Sequence, residues 1–443
     1  MSRSLLAIAL AVVAGHAVAA PGTVTLGADD LARLVRMPVG ATTDLAAFPV
    51  GPGVLAAVRF ERIDVYASDA RIVEMTAGGE RELPRSRHVQ LLGHAGDGVT
   101  RLALSLDPDS GALFEGACST ASGAFVVRSR KSGTGYAFEA IDANAALPAG
   151  VVLDYADNVD SVPAPDAAPA ILEHLAAQPV VAASTPATLA VVAVDTDNEF
   201  LLERFSNNST QATDWIAALF AQLNIFYRSD LDMILLQGTT LLRPSTTADP
   251  FNNVDTPASN AQLVEFGNWW SANQGAVPRA FAMLLSGKAS SPNSGSGIAW
   301  VNRYCATSGT GGSYSVNQVF TNTGIPASSS GFLVGHELGH NFGASHTHCS
   351  NATTGAYPTA TSTIDQCYSG ESGCWSGPTS CPASGPGAPA GTLMSYCHVS
   401  SAGCGQNVLQ FHPTHVTQIR ARIAANTTPS CLRSEVIFGN GFQ

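Results

Sequence analysis

The string HELGHNFGASH, which begins at His336, has the residue types and spacing of a metal site. On a helix, residues four apart lie on one face, so His336 and His340 can offer two imidazole nitrogens to one ion. Glu337 stands next to the first histidine, where a carboxylate can act on a water as general base without binding the metal. Gly343 can take the left-handed conformation that turns the chain out of the helix and brings up His346.

The donor set decides which kind of metal site this is. Three protein ligands leave a fourth coordination position open, which is the arrangement of a catalytic zinc. The alternative is an amphipathic helix that carries histidines by chance, and it is much weaker here than for a bare HExxH, because Gly343 and His346 complete the pattern. The sequence therefore predicts zinc bound by His336, His340 and His346, with Glu337 as the general base.

A helix must position the first two histidines. Apolar side chains surround them, and Ser328, Ser329 and Ser330 offer hydroxyl groups for its N-cap. Gly335 and Gly339 would each weaken an isolated helix by about 1 kcal/mol. They predict close packing against another backbone, so tertiary contacts are expected to hold this helix.

The motif resembles that of the metzincin metalloendopeptidases and is most similar to the reprolysin or adamalysin family. The sequence GTLMSYC around Met394 resembles the Met-turn, which implies a methionine floor beneath the zinc; alone, Met394 would be an ordinary core methionine. The resemblance implies a twisted mixed α/β sheet that carries an active-site helix. Thr347 departs from the family, where aspartate usually follows the third histidine, and this leaves the anchor of that histidine undefined.

Tyr396 lies two residues after Met394. It resembles the tyrosine that astacin-like and serralysin-like metzincins place beside the metal and that reprolysins generally lack. It could be a fifth zinc ligand or a hydrogen-bond donor to the tetrahedral intermediate. A buried core tyrosine fits the sequence equally well.

Length and charge indicate an exported chain of two domains. The 443 residues are 45% hydrophobic, enough for one large core and a smaller one. A net charge of −12 argues against nucleic acid or an anionic membrane as a partner. Residues 1–19 have the positive start, short apolar run and small-residue cleavage site of a signal peptide, and the run is too short to span a membrane. The protein is therefore expected to be secreted and extracellular.

Composition divides the rest of the chain. Residues 20–160 are turn-rich and strand-favouring, and residues 161–186 are an Ala- and Pro-rich linker suited to proteolytic processing. Residues 187–433 alternate apolar strands with helical patterns, which indicates an α/β sheet covered by helices, and residues 434–443 form a tail. By resemblance the first domain is a β-rich propeptide, with an independent accessory or substrate-binding domain as the alternative. The resemblance also implies that a strand at residues 313–320 is the sheet edge that pairs with extended substrate.

Eight of the nine cysteines fall in the second domain, and an even number in an exported domain predicts four disulfides. The family resemblance implies a bridge between Cys305 and Cys431. A structural zinc between Cys367 and Cys404 is the competing interpretation. Cys118 remains alone in the first domain. Its thiolate could fill the open zinc position and keep the precursor inactive, or it could be a buried, inert thiol.

These observations predict a secreted zinc endopeptidase that is made as a zymogen, with protein or peptide as substrate and its own propeptide as inhibitor. The alternative is a catalytically silent metzincin scaffold that binds a protein partner. The intact Glu337 argues against that alternative. A structural calcium is compatible with the sequence, but no ligand cluster for it stands out.

Overall fold

The structure is a computed structural model that describes residues 22–155, 162–163, 188–382, 391–399, 404, 407–425 and 431–434. The expected signal peptide, almost all of the expected linker and almost all of the expected tail lie outside these residues. No helix in the described part of the chain combines the length and apolar character needed to cross a membrane.

The N-terminal region forms an antiparallel sheet of eight strands, in the order β1-β10-β9-β8-β7-β6-β3-β2. Its apolar core is built around Phe48, Phe60 and Phe138, all fully buried. Strands β4 and β5 form a hairpin that is not part of this sheet. The elements are β1 (Val24–Leu26), α1 (Ala28–Arg36), β2 (Thr42–Gly51), β3 (Val54–Ile63), β4 (Ile72–Thr76), β5 (Gly79–Leu83), β6 (Val89–Ala95), β7 (Arg101–Leu106), β8 (Leu113–Thr120), β9 (Gly123–Ser132) and β10 (Gly135–Asp142).

The remaining elements build a second, mixed sheet with helices against it. They are β11 (Asp154–Tyr155), β12 (Val162–Pro163), β13 (Thr188–Thr196), α2 (Ser209–Leu231), β14 (Met233–Leu242), α3 (Asn260–Asn273), β15 (Phe281–Ser286), β16 (Ser294–Val301), β17 (Tyr314–Gln318), α4 (Ala327–Asn341), α5 (Pro413–Ala425) and β18 (Arg433–Ser434). The order is β11-β16-β17-β15-β13-β14-β4-β5, with β12 paired to β16 and β18 to β13. The predicted mixed α/β fold is confirmed.

One expectation about this sheet is wrong. The strand predicted at 313–320 is β17, and it lies inside the sheet between β15 and β16. Strand β16 runs antiparallel to β17 and lies outside it, so residues 294–301 form the outer strand of the core sheet. Two short segments, β11 and β12, pair with β16 in parallel.

The two sheets are joined by buried contacts. The hairpin β4–β5 extends the second sheet through parallel pairing of β4 with β14. Helix α2 packs against β14 and α4 and also against β6, β7 and β8 of the first sheet. Arg101 of β7 forms an ion pair with Asp230 of α2, whose other carboxylate oxygen accepts the Phe411 N–H at 2.7 Å. The N-terminal region is thus part of the structure that supports α4.

All eight cysteines of the second domain are paired. The bridges are Cys305–Cys431, Cys349–Cys374, Cys367–Cys397 and Cys381–Cys404. The four predicted disulfides are confirmed, including the one implied by the family resemblance. A structural zinc on the cysteines between Cys367 and Cys404 is excluded, because their sulfur atoms are consumed in disulfides.

Candidate metal centre

Helix α4 begins in a different way from that expected. Its N-cap residue is Pro326, and no side chain caps it; the three serines lie inside the first turn. The N–H of Ala327 instead donates to Oε2 of Glu115, 3.3 Å away on β8 of the first sheet. A carboxylate at this end of the helix also suits the helix dipole. The cap of the helix therefore comes from the N-terminal domain.

The glycines of α4 allow bulky side chains to approach. A Cβ on Gly335 would overlap the ring of Phe226, and a Cβ on Gly339 would lie 2.7 Å from the sulfur of Met394. Tyr227 donates its hydroxyl proton to the carbonyl of Gly335 at 2.9 Å. The prediction of close packing is right, but the partners are side chains of α2 and of the Met394 turn and not a neighbouring backbone.

The three predicted histidines meet in one place. Each offers one ligand atom, and these atoms lie within 4.8 Å of one another. Nδ1 of His336 is 2.9 Å from the carbonyl oxygen of Leu393, and Nδ1 of His340 is 2.8 Å from that of Ala344. As donors to carbonyls, these Nδ1 atoms leave Nε2 as the ligand atom of each ring. Burial holds the pKa values of His336 and His340 well below the usual range, so both rings are neutral and able to bind a metal.

His346 reaches the site through a sharp turn. Gly343 has a φ of +98°, in the left-handed region that favours glycine. Its N–H donates to the carbonyl of His340 at 2.7 Å, and its own carbonyl accepts from Arg422 of α5. Nε2 of His346 then lies 3.1 Å from Nε2 of His340.

Glu371, which was not predicted from the sequence, takes the place left open by Thr347. Its Oε2 lies 2.7 Å from Nδ1 of His346 and 2.9 Å from Nε2 of His348. Burial would raise the pKa of Glu371, but the two imidazoles beside it lower that pKa to about 2. The carboxylate is therefore ionised and orients the third histidine. No local pattern marks it, because it lies 25 residues further along the chain.

Glu337 lies against the outer strand of the sheet. Its side chain is buried, at 1% exposure. A Cβ on Gly297 of β16 would overlap the Glu337 carboxylate, so only glycine allows the strand to pass this close. The candidate base thus lies directly against the outer strand of the core sheet.

Met394 and Tyr396 both lie beside the histidines. Met394 is fully buried against Gly339. The Met394 carbonyl accepts two hydrogen bonds from Thr347, one from the backbone N–H at 3.1 Å and one from the side-chain hydroxyl at 3.3 Å. The Tyr396 ring centroid lies 4.4 Å from that of His346 and 6.1 Å from that of His336. Tyr396 is therefore in contact with the ligand set and not in a remote core.

Cys118 is not brought to this site, which corrects the prediction of a thiol switch. It lies on β8 at 0% exposure in the apolar core of the first sheet, and its Sγ donates to the carbonyl of Val50 at 3.3 Å. Burial raises the pKa of the thiol, so the thiolate that zinc requires is disfavoured. The structure supports the alternative, a buried and inert thiol.

The three groups of described residues that could hold a metal all contain histidine or cysteine. None of them is the oxygen-rich set that calcium prefers, so the possibility of calcium gains no support. Two of the groups include cysteines that are consumed in disulfides. The group of His336, His340 and His346 is thus the best metal site in the described part of the chain.

This fold and this site define a metzincin-like metallopeptidase. Residues 185–410 match the family model described as Reprolysin_5, metallo-peptidase family M12. The match spans more than half of the chain, and the protein belongs to this family.

Two of the solved structures that resemble the chain show low sequence identity to it. One is metalloproteinase-II from Bacteroides fragilis, with 12% identity, a TM-score of 0.35, and coverage of 76% of this chain and 92% of that one. The other is described as a chaperone-substrate complex, with 10% identity, a TM-score of 0.28, and coverage of 54% of this chain and 34% of that one. A comparison with curated proteins found no match.

Proposed function

We propose that this protein is a secreted zinc endopeptidase, made as a zymogen, that hydrolyses internal peptide bonds. The observation that carries the proposal is the convergence of His336, His340 and His346 within 4.8 Å, with Glu337 next to the first of them in sequence. The family membership supports peptidase activity and a metal.

The donor set fits zinc. Three imidazole nitrogens are borderline ligands that zinc accepts, and their number leaves one position open for catalysis. Each Nδ1 atom is already within hydrogen-bond distance of a carbonyl or carboxylate oxygen, which orients the ring before any metal binds. A bound zinc would acidify a water and polarise the scissile carbonyl.

The roles of the protein's own groups follow from their positions. Glu337 accepts a proton from the attacking water and passes it to the leaving amine. The backbone of β16 beside Gly297 pairs with the extended peptide and holds its carbonyl at the site. Tyr396 is suited to donate a hydrogen bond to the oxyanion, because its ring packs on His346. Met394 supports the floor by packing on Gly339.

Export and latency are the further parts of the proposal. Four disulfides suit an oxidising compartment, and residues 1–19 have the pattern of a signal peptide. The N-terminal domain fits the role of propeptide, because its last described residues pair with the edge of β16. Removal of this domain by cleavage in the linker would then expose the strand edge.

The test is proteolysis of an unfolded casein-like substrate by the zinc-loaded protein after processing of the linker. We expect internal cleavage that a zinc chelator stops and that added zinc restores. Cleavage that persists in chelator would contradict the zinc mechanism. No cleavage with zinc bound would leave the silent scaffold as the better description.

A further inference from the structure

An aromatic pocket next to the metal site already holds a side chain of the same protein. We use the name aromatic pocket for Phe320, Phe332 and His398. The ring of Tyr155 lies 4.8 Å from His398, 5.1 Å from Phe320 and 5.9 Å from Phe332, in edge-to-face contacts with all three. Its hydroxyl donates to the carbonyl of Ser329 at 3.4 Å.

Two of the three pocket residues, Phe332 and His398, come from segments that also build the metal site. Phe332 lies four residues before His336 on α4, so the two side chains share one face of the helix, one turn apart. His398 follows Tyr396 by two residues, and its ring packs on Phe332 with centroids 4.8 Å apart. A peptide segment that places a side chain in the pocket therefore has its backbone close to the three histidines.

The backbone that carries Tyr155 is bound as an added strand. Asp154 and Tyr155 pair with Ser294 and Gly295 at the outer edge of β16. Gly297, two residues further along that strand, touches Glu337. Val162 and Pro163 pair with the far end of the same strand, at Trp300 and Val301. Main-chain pairing at a sheet edge with one side chain in a pocket is the usual way in which an extended peptide is recognised.

A cavity continues from the pocket towards the N-terminal domain. It has a volume of about 400 Å³, and Tyr155, Phe332, His398 and Leu409 contribute to its wall together with Phe125 and Leu147 of the first domain. This volume lies within the range of small-ligand sites. The pocket therefore has room for a ring as large as that of tyrosine or phenylalanine once Tyr155 leaves.

We infer that the aromatic pocket selects substrates, that it takes an aromatic side chain close to the cleaved bond, and that Tyr155 occupies it in the intact chain as an internal competitor. The inference rests on the proposed endopeptidase function and deepens it. Three edge-to-face contacts favour a ring over an aliphatic or charged side chain. Because Tyr155 is tethered, it competes at a high effective concentration.

The first experiment measures latency with the full chain loaded with zinc. Initial rates of cleavage of a short fluorogenic peptide that contains tyrosine are compared for the wild type, Tyr155→Ala, Tyr155→Phe and Tyr136→Ala. We expect Tyr155→Ala to be faster than the wild type by at least about 10-fold, and Tyr155→Phe to stay close to it because the ring contacts remain. Tyr136 lies on β10 of the first sheet, and its variant is the matched control with no expected change. Equal rates for Tyr155→Ala and the wild type overturn the internal-competitor part of the inference.

The second experiment does not depend on catalysis. Binding of two labelled peptides that differ only in one central residue, tyrosine or alanine, is measured by fluorescence anisotropy on zinc-loaded Tyr155→Ala/Glu337→Gln. We expect the tyrosine peptide to bind at least about 10-fold more tightly, and the further change Phe332→Ala to remove most of that preference. Equal binding of the two peptides overturns the inference. Selective binding by this variant, with no cleavage by Tyr155→Ala, supports the pocket and contradicts the endopeptidase function instead.

Discussion

Oε2 of Glu371 lies 2.7 Å from Nδ1 of His346, although 25 residues of chain separate them. The same oxygen lies 2.9 Å from Nε2 of His348, so one carboxylate fixes two imidazoles. In this chain Thr347 follows the third histidine, and its hydroxyl donates to the carbonyl of Met394 at 3.3 Å. The anchor of the third candidate ligand, His346, therefore comes from a separate loop.

The variant Glu371→Gln tests this anchor. We expect zinc affinity to fall about 10- to 100-fold, as is usual when a carboxylate that orients a ligand histidine is lost. The measurement is competition with a chromophoric zinc chelator, with the exposed Glu203→Gln as control. Unchanged affinity in Glu371→Gln would show that His346 is oriented without it.

The variant Glu337→Gln keeps the shape of the side chain but removes the carboxylate that we propose as the general base. We expect the zinc content and the circular dichroism spectrum to stay as in the wild type. The cleavage rate should fall by at least about 100-fold, the lower range for a positioned acid or base. Activity near the wild-type value would place the base elsewhere.

The variant Tyr396→Phe separates the two interpretations of this tyrosine. If the hydroxyl stabilises the transition state, kcat should fall by about 10-fold or more while KM changes little. Steady-state kinetics on one peptide, with Tyr368→Phe as the neighbouring control, give the answer. A kinetically silent Tyr396→Phe would mean that the ring serves packing alone.

The variant Cys118→Ala tests the correction of the thiol switch. Because the thiol is buried in the first sheet and donates to Val50, we expect the intact precursor to remain as inactive as the wild type. The free energy of unfolding should fall by about 1 kcal/mol, from the lost volume and hydrogen bond. A Cys118→Ala precursor that digests substrate before any processing would restore the switch.

Glu115 makes a pH-dependent contribution to stability. Burial raises the pKa of this carboxyl to about 7, above its value in the unfolded chain. Its stabilising contribution is therefore complete at acidic pH and is lost as the pH rises through about 7. The unfolding temperature of the intact chain should fall between pH 5 and pH 8, and Glu115→Gln should flatten part of that slope. Between these pH values the contribution of Glu115 to the free energy of unfolding should fall by roughly 1 to 3 kcal/mol, because each pKa unit corresponds to about 1.4 kcal/mol. Parallel profiles for Glu115→Gln and the wild type would assign the slope to other groups.

Features that depend on neighbours along the chain were predictable from the sequence. The spacing of His336 and His340 follows from the helical repeat, and the φ of +98° at Gly343 follows from the need to leave the helix. The apolar repeat at helical spacing over residues 214–231 indicates a helix by itself, and α2 begins earlier, at Ser209, because the side chain of Asn208 caps it. The even number of cysteines in one exported domain was enough to predict four disulfides.

Tertiary structure alone decided the rest. Three features depend on residues that are far apart in the sequence and that no local pattern relates. They are the position of β16 outside β17, the contact of Glu371 with His346 and the burial of Cys118. The place of Tyr155 among aromatic rings from the segment after β17, from α4 and from the Met394 turn is of the same kind. Residue type and spacing therefore determined which groups could bind a metal and act as a base. The packing of distant elements determined which groups orient them, which strand faces the site and which side chain lies in the pocket beside it, because these contacts exist only once the chain has folded.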